Sequence, residues 1–490
     1  MNDNPELAGA PFVSLEEMLE EREKRALRQR QLAAEYGSAG GGAGHGDVCG
    51  AALLCLTLNI PGPYKNFPLA RRSFKEEQRI VRLMIEAENL IILHEEAAEN
   101  SAGCAGYMVI GASAERVKKL TLHIEETHPL GRLFDLDVIK INGVIGASGQ
   151  KLSRKEERRC LLCSKPAFEC GRSRAHEPAD LINAVITIMK GFFRERLGGI
   201  ITAAALKALM TEAAITPKPG LVDRANSGSH RDMDFFTFID STAAILPCFR
   251  ECAVMGYDSA ADSTAEAPSA KPPALFESLR PVGKAAECLM KQATGGVNVH
   301  KGIIFSLAIL SAAYGVLYNK SDVIQLADLL DLCRAMCSRL PEDFSNPSDF
   351  SSQQNKSSHG EAAFARHGIQ GIRGEAAAGF PSVRDHSLPV LRRMLKEGHS
   401  LNDSGIAAFL SLLARVDDTN IIHRSDLSSL RRIQKETGEF LRGNPAMSAI
   451  RERTAELDRQ FIAANISPGG CADLLALTLF LHFLVLDKPE

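Results

Sequence analysis

The sequence predicts a multidomain chain, with an N-terminal α/β or α+β domain followed by a larger all-α domain. Two observations carry this. The 490 residues exceed what one hydrophobic core usually organises, which suggests two or three domains. Near residue 181 the texture changes, from mixed strand-like and helical patterns to long stretches of helical periodicity with scarce alternation. The domains are therefore drawn at 1–180 and 181–490.

Residues 14–35 read as a helix, because Ser14 and Glu17 form a capping-box pattern ahead of a long charged run. SAGGGAGHG at 38–46 reads as a flexible link. LLCLTLNI and GYMVIGA look like buried strands, and residues 134–139 alternate like another. RLMIEAENLII and AERVKKLTLHIEE look helical. Beyond 181, apolar residues recur at helical spacing over 181–195, 199–214, 235–255, 301–318, 322–339, 403–416, 426–441 and 471–486. Two stretches, 258–274 and 341–358, are rich in Ser, Pro and Ala and are expected to be mobile surface loops. LLALTLFLHFLVL at 474–486 is the most membrane-like run, but it is short for a span and carries His482, so a buried core helix is expected and no membrane.

Composition excludes some functions. A net charge of −3 provides no global field toward nucleic acid or an acidic membrane. Six tyrosines, no tryptophan and no basic or aromatic stripe argue against a nucleic-acid partner. Twelve cysteines are scattered without a secreted-domain pattern, and MNDNPELAGAPF lacks the basic-then-apolar order of a signal peptide. Reduced thiols and a cytoplasmic location are expected.

In the C-terminal half, ITPKPGLVDRANSGSHRDMDFF at 215–236 crowds charges between helices. Pro217 and Pro219 must end the preceding helix, and the stiff TPKPG loop is expected to hold Lys218 outward. A new helix is expected near Ser229, with Asp232 completing a capping box. The same design, a glycine turn opening a helix, recurs. ATGGVNVHKGIIFSLAIL has Asn298 as the expected cap, with His300 and Lys301 in the first turn. NISPGGCADLLALTLF carries Asp473 in its first turn. SHGEAAFARHGIQGIRGEAAAGFPSVR places His359 and Arg373 around glycines, and LNDSG and VDDTN add Asp403 and Asp418. Helix N-termini suit phosphate, glycine lets backbone approach a ligand, and carboxylates can hold Mg²⁺ against phosphate oxygens. Several such mouths in one helical domain favour a nucleotide or polyphosphate site; there is no P-loop motif.

EAAITPKPGLVDRANSGSHRDMDFFTFIDS, TGGVNVHKGIIFSL, HGEAAFARHGIQGIRGEAAAGFPSVR, DDTNIIHR and NISPGGCADLLALT resemble, in order, the motifs of triphosphoribosyl-dephospho-CoA synthase over residues 195–490. The resemblance departs at Cys471, where a small Ser is expected. It implies that the 2′-hydroxyl of 3′-dephospho-CoA attacks C1 of the ATP ribose and adenine leaves. Such a glycosyl transfer wants an acid near the leaving group, a base near the hydroxyl and negative charge near the ribose. On that basis Lys218, Arg224, Arg231, Lys301 and Arg373 are candidate phosphate contacts. Asp232, Asp234, Asp403, Asp418 and Asp473 are candidates for Mg²⁺ or the base, and His300 and His359 for proton transfer.

In the N-terminal half, HPLGRLFDLDVI puts Asp135 and Asp137 two apart on a predicted strand, so both face one side. Such a pair can hold Mg²⁺ for phosphoryl or nucleotidyl transfer, with Gly131 and Arg132 near the phosphate, or can simply end a surface strand. RRCLLCSKPAFECGRSRAH presents Cys160, Cys163, Cys170 and His176, a set that fits a tetrahedral zinc knuckle or unpaired cysteines packing a helix end. TLNIPGPYKNFPLARRSF, HPLGRLFDLDVI and KLSRKEERRCLLCSKPAFECGRSRAH resemble the phosphoribosyl-dephospho-CoA transferase that makes the holo acyl carrier protein of citrate lyase, over residues 14–180. That resemblance implies attack by a carrier-protein serine on the α-phosphorus of the triphosphoribosyl group, with pyrophosphate leaving. It makes Asp135 and Asp137 candidates for Mg²⁺ and Lys65, Arg71 and Arg72 candidates for phosphate. A bifunctional fusion follows, with the apo carrier protein, ATP and dephospho-CoA as partners. Still open at this stage are a chain with one active half and one docking or nucleotide-sensing half, and service of a malonate decarboxylase carrier.

Overall fold

The computed structural model describes residues 4–37, 50–141, 150–152, 158–261, 272–321, 323–340 and 359–484. The expected glycine link at 38–46 and the Ser/Pro-rich stretch at 341–358 lie outside the described residues, as does 262–271 of the other expected loop. The chain divides into two units, Met1–Phe193 and Arg194–Glu490.

The first unit runs α1 (Leu15–Gly37), β1 (Ala52–Leu58), α2 (Pro68–Ala87), β2 (Ile92–Asn100), β3 (Gly103–Ile110), α3 (Ala114–Thr127), β4 (Phe134–Lys140), β5 (Gln150–Lys151) and α4 (Ala167–Ser173). Helix α5 (Pro178–Ala214) begins in this unit and continues in the second. The sheet order is β2-β3-β1-β4-β5 with every pair antiparallel, so the domain is α+β rather than α/β. The βαββαβ connectivity of its first four strands is ferredoxin-like. The expected capping box opens α1, where Ser14 Oγ accepts the Glu17 N–H at 3.2 Å and Glu17 Oε2 accepts the Ser14 N–H at 2.7 Å. Leu32 of α1 packs with Leu53, Cys55, Tyr107, Val109 and Ile139 on one face of the sheet. Register pairs Asp137 with Cys55 and Asp135 with Thr57, so both aspartates belong to this face. Phe74 of α2 packs beside Gly106 on the other.

The second unit continues with α6 (Phe235–Ala261), α7 (Pro272–Ala293), α8 (Lys301–Lys320), α9 (Leu326–Met336), α10 (His359–His367), α11 (Gly371–Ala377), α12 (Leu388–Lys396), α13 (Leu401–Leu413), α14 (Thr419–Arg424), α15 (Leu427–Arg442), α16 (Met447–Ala463) and α17 (Gly469–Phe483). No strand occurs among its described residues. The predicted helices 181–195 and 199–214 are one, α5, running through Gly198-Gly199; a side chain at Gly198 would meet Arg250, so that glycine lies at a close packing contact inside the helix. Helices α8, α13 and α17 are apolar all round and form the interior. Gly256 of α6 lies against the Ala312 carbonyl and Gly315 of α8 against that of Ala253, so the two helices cross at backbone contact. Among the described residues the helices long and apolar enough to cross a membrane are α5 and α8, and 72% of the α8 window is buried inside the protein; the C-terminal run forms α17, short and buried as expected.

The charged stretch 215–236 is an ordered loop ahead of α6. Asp223 accepts the backbone N–H groups of Lys218, Ala225 and Asn226, and Asp458 accepts from Gly220 N–H and the Asn226 amide. Ser229 is no helix cap: its hydroxyl donates to the Ile466 carbonyl at 2.6 Å. The cap is Asp234, which trades hydrogen bonds with Thr237.

Candidate active sites

Four helix mouths of the second unit open onto one cavity of about 600 Å³, walled by the starts of α8, α11, α14 and α17 and by the end of the 215–236 loop. Of the residues expected from sequence, it brings together Asp232, His300, Lys301, Arg373 and Asp473. Glu212, His230, Glu287 and Arg424 also line it. The longer helices, α8 and α17, both start without a side-chain cap; the N-cap of α8 is His300, not the expected Asn298. Their first-turn N–H groups therefore retain capacity for an anion. One is spoken for, since Asp418 Oδ2 accepts the Cys471 N–H at 2.8 Å.

The cavity pairs these donors with buried acid. Burial, then the nearby Asp418 and Glu212 carboxylates, push Asp473 well above the usual carboxylate range. Asp473 lies directly over Gly302, where any side chain would collide with its carboxylate. Burial also raises Glu212, against the opposing pull of its buried ion-pair partner Lys218. His300 is 3% exposed; its Nδ1 meets the Ser241 hydroxyl at 2.7 Å and its Nε2 has no partner. Burial, helped by Lys218, lowers its pKa to about 3. Near neutrality His300 is an uncharged hydrogen-bonding group rather than the proton carrier expected from sequence. His230 is neutral too, depressed by burial and by Arg424. Because a guanidinium only donates, Arg424 Nη2 at 3.3 Å makes His230 Nδ1 the acceptor, and Nε2–H faces Ser467 Oγ at 2.9 Å.

Several sequence candidates have other work. Lys218 is not held outward: it is 1% exposed and its ammonium is tied to the Glu212 carboxylate and carbonyl. Asp418 is buried, and its other oxygen accepts the Asn420 and Ile421 N–H groups, so it caps α14 while holding the first turn of α17. Asp403 pairs with Arg451 at the start of α13. Asp234 caps α6, Arg224 reaches Thr216 and Asn402, and Arg231 is exposed; none of the three lines the cavity. His359 begins α10, but its side chain lies outside the described residues.

In the first unit, Asp135 stands 3.4 Å from Arg158, whose Nη2 also donates to Glu125 and the Phe134 carbonyl, both at 2.7 Å. Behind it lies Glu77, fully buried, its carboxyl raised well above the usual range by burial and then by the Asp135 charge. Residues 59–67, which follow β1, leave the sheet at the Asp135 end, since Thr57 pairs with Asp135. Arg71 there bonds Asn66 at 2.8 Å. Lys65 donates to the Ile60 carbonyl, and Arg72 is buried over the Phe193 ring, so neither is presented outward as the sequence suggested. Gly131 has no room for a side chain beside the Glu125 carbonyl, a packing reason for its place before β4. Arg132 donates to the Arg159 carbonyl.

Two family models match the chain end to end. Residues 13–192 match CitX, the apo-citrate lyase phosphoribosyl-dephospho-CoA transferase family, and residues 200–489 match CitG, the ATP:dephospho-CoA triphosphoribosyl transferase family. The chain belongs to both families, fused. It is 31% identical over 483 residues to protein CitXG of Haemophilus influenzae, covering 96% of each chain. It is also 31% identical to protein CitXG of Leuconostoc mesenteroides subsp. cremoris, covering 97% of this chain and 98% of that one. A 2-(5''-triphosphoribosyl)-3'-dephosphocoenzyme-A synthase of Klebsiella pneumoniae is 40% identical over 286 residues, 57% of this chain and 89% of that one. This CitX–CitG fusion is a transferase that makes and attaches the prosthetic group of citrate lyase.

The CitG-matching unit holds the large cavity, and the CitX-matching unit holds the Asp135/Asp137 face. Glu212, His230 and Arg424 sit inside the motifs EAAITPKPG, SGSH and DDTNIIHR, yet no spacing rule picks them from their neighbours. Glu287 is on the amphipathic helix α7, where nothing local distinguishes it from a solvated charge.

Proposed function

We propose that the second-unit cavity is where ATP and 3′-dephospho-CoA react, and that the Asp135/Asp137 face is where the product is transferred to a serine of the citrate lyase carrier protein. One observation carries the first half: two uncapped helix starts and a proton-retaining carboxyl, Asp473, meet in one cavity. The helix starts, with Lys301, Arg373 and Arg424 lining the same cavity, suit the unreacting triphosphate. Asp473, protonated, is the acid for departing adenine. His300 Nε2 gives a neutral hydrogen bond to the substrate, and Asp418 positions the two helix mouths.

Mg²⁺ fits both places in the way it usually binds, through one or two carboxylates plus substrate phosphates. Asp232, exposed on the cavity wall, would hold it in the second unit, and Asp135 with Asp137 in the first. When bound it would neutralise phosphate charge. In the transfer half, the carboxylate pair and Arg158 orient the triphosphoribosyl group so that the serine hydroxyl faces its α-phosphorus and pyrophosphate departs. A cytoplasmic enzyme with reduced thiols completes the reading.

The test is to mix the full chain with ATP, Mg²⁺ and dephospho-CoA, follow adenine and product mass, then add apo carrier protein. Stoichiometric adenine, a triphosphoribosyl adduct and a carrier-protein mass increase with pyrophosphate are expected. Bound ATP without adenine would overturn the assignment of the cavity. Modification of a malonate decarboxylase carrier in preference to the citrate lyase carrier would overturn the assignment of the partner.

Gly302→Ala should leave the fold intact, since alanine favours helix, but push the Asp473 carboxyl aside. Adenine release should fall by about 10²-fold, the usual cost of misplacing a reacting group by an ångström. Transfer of pre-made product to the carrier should be unchanged.

A further inference from the structure

Among the described residues, one group of three or more His, Cys, Asp or Glu side chains comes close enough to share an ion: Cys160, Cys163, Cys170 and His176. Their ligand atoms all lie within 4.8 Å of one another. Cys163 Sγ is 3.4 Å from Cys170 Sγ and 3.3 Å from His176 Nε2. Four ligands around one zinc, with bonds of about 2.3 Å to sulfur, stand about 3.8 Å apart.

The local fold builds this set. Arg159 and Pro166 form a β-bridge, and the Cys160 N–H bonds the Lys165 carbonyl at 2.8 Å, closing a tight loop around the Cys-x₂-Cys pair. Within it the Leu162 N–H points at Cys160 Sγ, 3.5 Å away, as a thiolate acceptor requires. Helix α4 brings Cys170 over the loop, and Arg174, in the left-handed conformation at φ 48°, turns the chain so that His176 returns to Cys163. Three sulfurs and one imidazole suit zinc and not Mg²⁺, and four protein ligands leave no open position, which marks a structural site. Three thiolates on a divalent ion carry one net negative charge, and Arg158, Arg159, Arg172 and Arg174 are its sequence neighbours.

We propose that Cys160, Cys163, Cys170 and His176 hold one structural zinc ion, and that this knuckle fixes the Arg158–Arg159 segment against the Asp135 end of β4. Two arginines make the link: Arg158 reaches Glu125, the Phe134 carbonyl and Asp135, and Arg132 donates to the Arg159 carbonyl. Without the ion the loop loses its cross-link and Arg158 its fixed origin. The zinc assignment stands on geometry alone; the consequence for transfer rests on the functional reading above.

The full chain, purified without chelator, should contain one zinc per chain by elemental analysis, with three thiols that react with a chromogenic thiol reagent only after chelation. Cys163→Ser and His176→Ala should lose the zinc, whereas His176→Cys should keep it. In the zinc-free variants adenine release should persist while transfer of pre-made product falls at least tenfold. A zinc-free native chain with those thiols freely reactive, or a Cys163–Cys170 disulfide in its mass spectrum, would overturn the metal site. Zinc loss with transfer unchanged would overturn the positioning role and leave the metal site standing. Failure of adenine release in the native chain would speak only to the functional reading.

Discussion

Asp473→Asn is expected to lower adenine release by about 10²–10⁴-fold, the span a positioned general acid usually contributes. Asparagine keeps the volume and can still donate a hydrogen bond, but has no proton to give. The sign of the pH dependence follows from the raised pKa. The active form is the protonated one, so wild-type turnover should hold below the folded-state pKa of Asp473 and decline as pH rises through it. That alkaline limb should vanish in the variant. Stability supplies the control. A carboxyl raised on folding favours the native state at low pH, and the advantage is lost as pH rises toward its folded value. The variant, which cannot ionise, should therefore be no less stable than wild type at neutral pH in a urea titration. Recovery of the variant at high Mg²⁺ would instead make Asp473 a cation ligand and sink the acid assignment.

Asp135→Asn is expected to abolish transfer to the carrier protein, by at least about 10²-fold, as the loss of one preorganised charge at a reacting phosphate does. Adenine release should be untouched. The fold should tolerate the change, because the Asp135 charge helps drive the buried Glu77 carboxyl upward, and removing it relieves that repulsion. Carrier-protein mass shift and free adenine, measured on the same preparation, separate the two. A parallel fall in both would place Asp135 in folding rather than transfer.

Local pattern was sufficient where a capping box, strict alternation or a long apolar run marks the element. The Ser14–Glu17 box, the strand carrying Asp135 and Asp137, and the apolar helices beginning at Phe235 and Lys301 all stand where their residues predict. Helices α12 and α16 were not read from the sequence, because α12 has only nine residues over which to show a period and α16 is largely charged. The stretches 181–195 and 199–214 read as two helices, yet α5 runs through both, and a side chain at Gly198 would meet Arg250.

For the site, the sequence by itself determined the chemistry: glycine turns before helices, a pair of aspartates at strand spacing, and a Cys-x₂-Cys with a third Cys and a His. These are local patterns, and their physics is carried by neighbours along the chain. Only the tertiary structure decided which charges line the cavity. Lys218 and Asp473 are both ionisable residues beside glycine turns. One is sealed against Glu212; the other lies in the cavity over Gly302, its carboxyl pushed well above the usual range by burial and by two more acids. That difference comes from helices α5, α8, α14 and α17, far apart in sequence and converging on one cavity. Solvation and neighbouring charge depend on distance in space, so periodicity and spacing along the chain do not encode them.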